Sequence, residues 1–520
     1  MKTIRILGWC SALCLSASWL QAQQTTPDAV DTIRRQLEEA TRQFNQSLQE
    51  HQKTIEALKR RLEELESKPS TAPPPGPPAV DSTAPAKYGV VGNAGWKPSD
   101  PIRVGRGNAY MDMGLVGTFA VGTSTAEDIE GGLELGGHDP NQRGFTVQEV
   151  EATFNGVVDP YFIGTASVTL GVDGGGETIT ELEEGYVQSL ALPWDLQVRG
   201  GYYLTEFGRH NTLHLHSFQF ADLPLVNGRL LGPDGLRNPG ARVSWLAPTR
   251  FYSELFLSVQ NSQGATATSF RGEGGHGHGG EEDAVPLAYR HPDNDRGVHN
   301  LGDMLYGPRY VTAFDLGDTQ TLRVGGSALF GPNSRGGEDA GETQTQVYGA
   351  DVTWKWKPLH HHGGFPFVQW ETEFMWRRYD AGAFDWDENG DGVLDPGEVS
   401  DPATGLPAEL SGETLDDYGF YTQLLYGFRK GWVAGLRWDH VGSPRADYED
   451  RGLLLDGAPL GRDPQRAPRW RLSPNLTWYP SEFTKLRLQY NYDHRNGIGD
   501  DHSVWLQMEF ILGAHAAHAF

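Results

Sequence analysis

The sequence predicts an all-β transmembrane barrel of about sixteen antiparallel strands, preceded by an α-helical coiled coil and a Pro-rich linker. Three observations lead there. The final stretch alternates apolar and polar residues in twos, segments of about ten residues with that pattern recur from residue 108 onward, and their connections alternate between short and long. In 503–520, Leu506, Met508, Phe510 and Leu512 fall on one face and Gln507 and Glu509 on the other, and the chain ends on the aromatic Phe520. That is the period of a strand, with its apolar side turned outward and its polar side inward.

Composition bounds the alternatives. The chain has 520 residues, 38% of them hydrophobic, and a formal net charge of −25. After the first few dozen positions no run of eighteen apolar residues occurs, which excludes a bundle of membrane helices. The acidic balance argues against a nucleic-acid partner, because phosphate binding needs the opposite sign.

Taken in order, residues 1–22 carry Lys2 and Arg5 before an apolar core, the pattern of a secretory signal peptide. Both cysteines, Cys10 and Cys14, lie inside it, so the mature chain is cysteine-free. Residues 27–68 form the expected coiled coil: Ile33, Leu37, Ala40, Phe44, Leu48, His51, Ile55, Leu58, Leu62 and Leu65 are spaced by threes and fours, with an extra four after Phe44. This spacing predicts oligomerisation, as a homotrimer, on the periplasmic side. Residues 69–107 are a Pro-rich linker and lead-in, since PPPGPP admits neither helix nor sheet.

The barrel occupies 108–520. Its strands are expected near 109–121, 144–156, 161–172, 179–192, 195–205, 240–247, 251–261, 307–317, 320–330, 343–357, 365–378, 417–428, 431–441, 468–479, 483–493 and 502–520. Short turns follow the even strands, such as 247–250 and 480–483, and long polar segments follow the odd ones, such as 206–239, 262–306, 379–416 and 442–467. Short turns on one side and long loops on the other are what an outer-membrane barrel of a Gram-negative bacterium requires. Sixteen strands leave an aqueous lumen too wide for wall side chains alone to fill, so the expected activity is passage of small solutes. By parity Glu149, Glu151, Arg199, Glu371, Glu373, Arg437, Arg469, Arg471, Lys485 and Arg487 line it, with both signs present. No Ser/His/Asp or paired-acid spacing on one strand suggests an enzyme.

Three loops hold candidate ligands. The third, 206–239, is expected to fold inward; it carries His210, His214 and His216, borderline ligands suited to zinc and its neighbours. The fourth has His276 and His278 in a glycine-rich, acidic tract, a composition that binds transition metals loosely. The sixth contains DENGDGVLDPGE at 387–398. Asp387, Asn389, Asp391, Val393 through its carbonyl, Asp395 and Glu398 fall at positions 1, 3, 5, 7, 9 and 12 of a calcium loop, with Gly392 at the bend.

The run GRHNTLHLHSFQFADLPLVNGRLLGPDGLRNPGARVSWLAP at 208–248 and the hairpin FTVQEVEATFNGVVDPYF at 145–162 resemble outer-membrane porins of the phosphate-selective type. They are also similar to relatives known as zinc-regulated outer-membrane receptors. The resemblance spans roughly 105–520 and implies a porin embedded in outer-membrane lipid. A phosphate porin implies a lysine- and arginine-lined constriction, whereas the third loop here has Arg209, Arg229 and Arg237 and no lysine. The expected cargo is therefore a small ion, zinc or another divalent metal ahead of phosphate. The alternatives are a phosphate- or anion-selective porin, or a structural anchor tied to the periplasm by the coiled coil.

Overall fold

The computed structural model describes residues 102–106, 109–157, 159–190, 192–272, 286–292, 297–335, 343–387 and 389–513. The expected signal peptide, coiled coil and most of the linker lie outside these residues, as do His276 and His278.

Sixteen strands close into a ring: β1 (Ala109–Ser124), β2 (Gly144–Val157), β3 (Phe162–Val172), β4 (Thr178–Ser189), β5 (Leu196–Leu204), β6 (Arg237–Leu246), β7 (Tyr252–Asn261), β8 (Met304–Asp315), β9 (Gln320–Pro332), β10 (Gln344–Trp356), β11 (Phe367–Ala381), β12 (Glu413–Arg429), β13 (Trp432–Gly442), β14 (Arg469–Ser481), β15 (Thr484–Arg495) and β16 (Gly499–Gly513). Each pairs antiparallel with its sequence neighbours, and β16 closes on β1 from Gly114 opposite Gly513 to Ser124 opposite Ser503. A five-residue strand, Ile102–Arg106, folds back on the start of β1, so the sheet has seventeen strands and the ring sixteen. All sixteen expected strands are present. Their described ends shift by a few residues, as at β12, which begins at Glu413 in the sixth loop, and 514–520 of the expected last strand lie outside the described residues.

Burial follows the pleat with polarity inverted. On β15 Lys485, Arg487, Gln489 and Asn491 are buried, while Leu488 and Tyr490 are exposed. On β16 Gln507 and Glu509 are buried, while Val504, Leu506 and Met508 are exposed. Around the ring Leu257, Phe374, Leu424, Leu436, Trp438 and Leu476 continue the exposed apolar band. Such a band needs lipid, and a closed ring gives every strand N–H and C=O a partner inside it.

The lumen departs from the expected open channel, because loops fill much of it. The third loop, 205–236, enters from the long-loop side and carries a helix of about two turns, α1 (Leu225–Leu231). Leu225, Val226, Leu230 and Leu231 pack on inward-facing Leu305, Leu329, Val347, Met375 and Val441 of the wall. Gly419 of β12 is small by necessity, since a Cβ there would come within 2.8 Å of a Val226 methyl. Further down, Phe220 reaches Phe367, Leu425 and Val433 near the short-turn ends of β11 to β13. The first loop, 125–143, packs beside it through Leu135. Above the barrel, segments of the fourth, sixth and seventh loops share a separate core that includes Tyr289, Trp386, Val399, Leu410, Tyr448 and Leu453.

Replacing Leu506 at the middle of β16 by Arg is expected to lower stability by about 2–4 kcal/mol through the loss of lipid contact. Urea unfolding in lipid vesicles measures this, and an effect confined to a few tenths of that would contradict the outward placement.

Candidate functional site

The third loop carries almost no regular structure over 216–223, so its peptide groups take partners from wall side chains. Lys485 Nζ donates to the His216 carbonyl at 3.0 Å, Arg487 to Phe218 at 2.8 Å, and Asn475 Nδ2 to Gln219 at 2.9 Å. Gln489 Oε1 accepts from the Ala221 N–H at 2.8 Å, Gln148 Nε2 donates to the Ala221 carbonyl at 3.0 Å, and Arg437 donates to the Asp222 carbonyl at 2.9 Å. The Asp222 carboxylate, fully buried, pairs with Arg437 at 3.0 Å and with Arg471. Burial alone would raise its pKa, but those two guanidinia hold it below the usual carboxylate range.

This changes the role of the wall residues. Glu149, Glu151, Glu371, Glu373, Arg437, Arg469, Arg471, Lys485 and Arg487 face inward as parity requires, yet all are buried beneath loops instead of lining water. Glu373 accepts the Arg209 and His210 N–H groups at 3.2 Å, and Glu371 accepts from Tyr421 Oη at 2.9 Å. Arg469 and Arg471 both bond Asp493, at 3.1 and 2.8 Å. Only Arg199 among the ten keeps partial exposure, its guanidinium 4.0 Å over the Tyr186 ring.

On the β2–β4 side the loop meets a cluster of acids. His214 Nδ1 lies 2.9 Å from Glu183 Oε2 and 3.1 Å from Glu151 Oε1, and its Nε2 lies 3.0 Å from Glu184 Oε2. His216 Nδ1 is 2.9 Å from the other Glu151 oxygen. Burial would lower the His214 pKa, but Glu183, Glu151 and Glu184 together hold it well above the ordinary imidazole value.

Glu183 and Glu184 are sequence neighbours and would normally point to opposite faces. A register shift in the β3–β4 pairing at Ser167/Val168 bulges β4, so both face inward and are buried. A second shift between β1 and β2, at Thr118/Phe119, does the same for Gln148 and Glu149. The β4 bulge thus adds Glu183 and Glu184 together to the Glu149 and Glu151 that alternation already turns inward, and the four glutamates surround two histidines.

The donor set suits a divalent transition ion. Ligand atoms of Glu151, Glu183 and His214 lie within 4.8 Å of one another, as do those of Glu149, Glu151 and His216. Glu184 supplies the usual outer partner: it takes the Nε2–H of His214 and so turns Nδ1 toward the carboxylates.

His210 does not join them. Its ring packs 4.3 Å from Phe218 and 5.9 Å from Tyr421, and burial, then Arg437 and Arg209, push it down to about 3. Glu183 and Glu184 were missed because strict alternation leaves one of any adjacent pair outside. The run ELEEG at 181–185, with acids on both parities of a strand, was the available signal.

In the sixth loop Asp387 accepts the Asp391 and Gly392 N–H groups at 3.1 and 2.8 Å, Asn389 Nδ2 donates to Asp395 at 3.0 Å, and Glu398 accepts the Asp395 N–H at 2.8 Å. Gly392 has φ +70°, and Val393 is exposed.

No family model matches the chain. It is 28% identical over 401 residues to an uncharacterised protein of Aquifex aeolicus (strain VF5), covering 74% of this chain and 73% of that one. Among solved structures it is similar to the outer membrane channel DcaP of Acinetobacter baumannii, with TM-score 0.46, 12% identity, and 78% and 98% of the two chains covered. It is also similar to an anion-selective porin from Comamonas acidovorans, with TM-score 0.44, 7% identity, and 78% and 100% covered.

Because the His210 ring is held neutral below its ordinary pKa of about 6.5, the unfolded loop binds a proton that the seated loop rejects. The His210 contribution to the seat is therefore fully present above pH ~6.5 and is lost as pH falls from there toward ~3. Protease nicking of the third loop is expected to increase from pH 7 to pH 4 in the native chain, and less steeply in His210→Asn.

Proposed function

We propose that this chain is an outer-membrane porin, closed into a sixteen-strand barrel and narrowed by its own third loop, that admits small ions passively with divalent transition metals preferred. The observation that carries the metal preference is the bulge in β4 that turns both Glu183 and Glu184 inward, beside Glu149, Glu151, His214 and His216. Burying so many carboxylates together is costly unless a cation joins them. Zinc is the member of that class best matched by mixed imidazole and carboxylate donors. The exposed apolar band supports the membrane setting, and the heptad-like spacing of 33–65 supports a homotrimer.

A second reading, anion passage, is favoured by the opposite arc of the wall. Arg323 and Lys355 are only half-buried there, and among the described residues no ion pair involves either. Reversal potentials of the refolded barrel in planar bilayers separate the two, with zinc chloride on one side and potassium phosphate as the comparison. Divalent preference, reduced at least about tenfold in His214→Ala/Glu183→Gln, is the expected result. Strong anion preference, lost in Arg323→Gln/Lys355→Gln, would replace the metal reading.

For the sixth loop the same proposal includes one calcium ion held by Asp387, Asn389, Asp391, the Val393 carbonyl, Asp395 and Glu398, stiffening the cap. Millimolar calcium should protect 382–412 from protease in the native chain but not in Asp387→Ala/Glu398→Ala. Protection independent of calcium in both would remove the ion from the account.

A further inference from the structure

The cluster of acids and histidines divides around one residue, Glu151. Its two oxygens face different imidazoles: Oε1 lies 3.1 Å from His214 Nδ1, and Oε2 lies 2.9 Å from His216 Nδ1. The centroids of the two rings are 5.7 Å apart. Each imidazole also has a second carboxylate at hand. Glu183 Oε2 is 2.9 Å from His214 Nδ1, and an oxygen of Glu149 lies within 4.8 Å of the ligand atoms of Glu151 and His216. Two groups of three donors therefore share a single carboxylate.

At His214 the distances suit hydrogen bonds and the directions do not. Nδ1 bonds neither of the carboxylate oxygens beside it, and Glu183 Oε2 accepts no hydrogen bond. Both carboxylates approach the same ring nitrogen, so one ion can meet all three donors. Donors on a tetrahedral zinc at about 2.0–2.2 Å sit roughly 3.4 Å apart, which asks these groups to part by about half an ångström or less.

Glu149 supplies the independent observation for a second ion. It is 1% exposed, and neither of its oxygens accepts a hydrogen bond. The imidazole of His138 stays 3.7 Å away, and the nitrogen it turns toward Glu149 bonds the Gln148 carbonyl. The fixed cations nearby are committed to other acids. Arg237 pairs with Glu181 and lies 3.9 Å from Glu183, and Lys485, which reaches the His216 carbonyl, pairs with Glu509 at 2.6 Å. Charge then decides the number of ions. Ionised, Glu149, Glu151, Glu183 and Glu184 carry four negative charges, of which one divalent ion answers two; a second leaves the cluster neutral.

We infer that the cluster binds two divalent transition metal ions bridged by the Glu151 carboxylate, one held by His214 and Glu183 and the other by His216 and Glu149. The wall fixes the bridge: Ser167 donates to Glu151 Oε1 at 2.5 Å and Thr153 at 3.3 Å. Glu184 stays outside the pair, on Nε2 of His214. An ion that enters at one imidazole reaches the other by changing oxygens on Glu151. The inference rests on the metal reading above and adds to it a second ion and the carboxylate that couples the two.

The test is zinc stoichiometry of the full mature chain refolded in detergent, measured by titration calorimetry, with cobalt EPR reporting whether the bound ions are coupled. Heat-modifiable gel mobility selects variants that have closed their barrel. Zinc taken by His276, His278 and His360–His362 is discounted against Glu149→Gln/Glu183→Gln/His214→Ala/His216→Ala. Above that baseline two equivalents are expected for the native chain, with the cobalt signal attenuated by exchange between bridged ions. Glu149→Gln and His216→Ala should each keep one equivalent and show an uncoupled cobalt signal, Glu149→Asp should return to two, and Glu151→Gln should abolish the coupling. One equivalent in the native chain, unaffected by Glu149→Gln, would overturn the bridged pair and leave the single-ion channel reading intact. Two equivalents with uncoupled cobalt would overturn the bridge. No binding above the baseline would overturn both readings. Two coupled equivalents without divalent preference in conductance would uphold the pair and sink the transport reading.

Discussion

The constraint on which the rest of the structure depends is the satisfaction of backbone groups within the barrel. A chain segment that enters the lumen without helix or strand partners must find a donor or acceptor for each buried peptide group, at about 1–3 kcal/mol for each one left bare. Here the wall supplies them. Lys485, Arg487, Asn475, Gln489, Gln148 and Arg437 are spent on the carbonyls and amides of 216–222. Their positions follow from the path of the third loop, and the lumen's polarity is in large part the template of that path.

The same constraint explains what was legible in the sequence. Strand number, order and facing emerged from alternation and turn spacing, because an outer face in lipid and an inner face lined with polar groups leave a period-two trace on nearly every strand. The occupant of the lumen left a weaker trace. Inward positions Leu305, Leu329, Val347, Met375 and Val441 are apolar where a water-lined wall would be polar. Each looks like an isolated exception until the helix they seat, Leu225–Leu231, is placed among them. Of the third-loop histidines, His214 and His216 meet carboxylates and His210 does not, a distinction set by a turn at 210–213 that local sequence does not encode.

The acids of β2 and β4 show how a small backbone irregularity governs chemistry. One extra residue in β4 brings two adjacent carboxylates to the side where alternation has already placed Glu149 and Glu151. Crowding them raises the energy of the unligated state, since like charges in a low dielectric repel. The imidazolium of His214 relieves part of that, and it is the group a metal would displace or deprotonate.

The contacts of the third loop also bear on how the barrel is assembled. Lys485 and His216 are 269 residues apart in the chain, as are Arg487 and Phe218, and Arg471 and Asp222 are 249 apart. Contacts of such separation carry a large loop-closure entropy and form slowly. The segment they hold cannot be fixed by β1 to β5 as these strands appear; it waits for β13 to β16 to arrive from the other end of the chain. Ring closure and filling of the lumen are therefore coupled, and an unclosed barrel would present its third loop, with its apolar helix, unprotected to whatever assists its insertion.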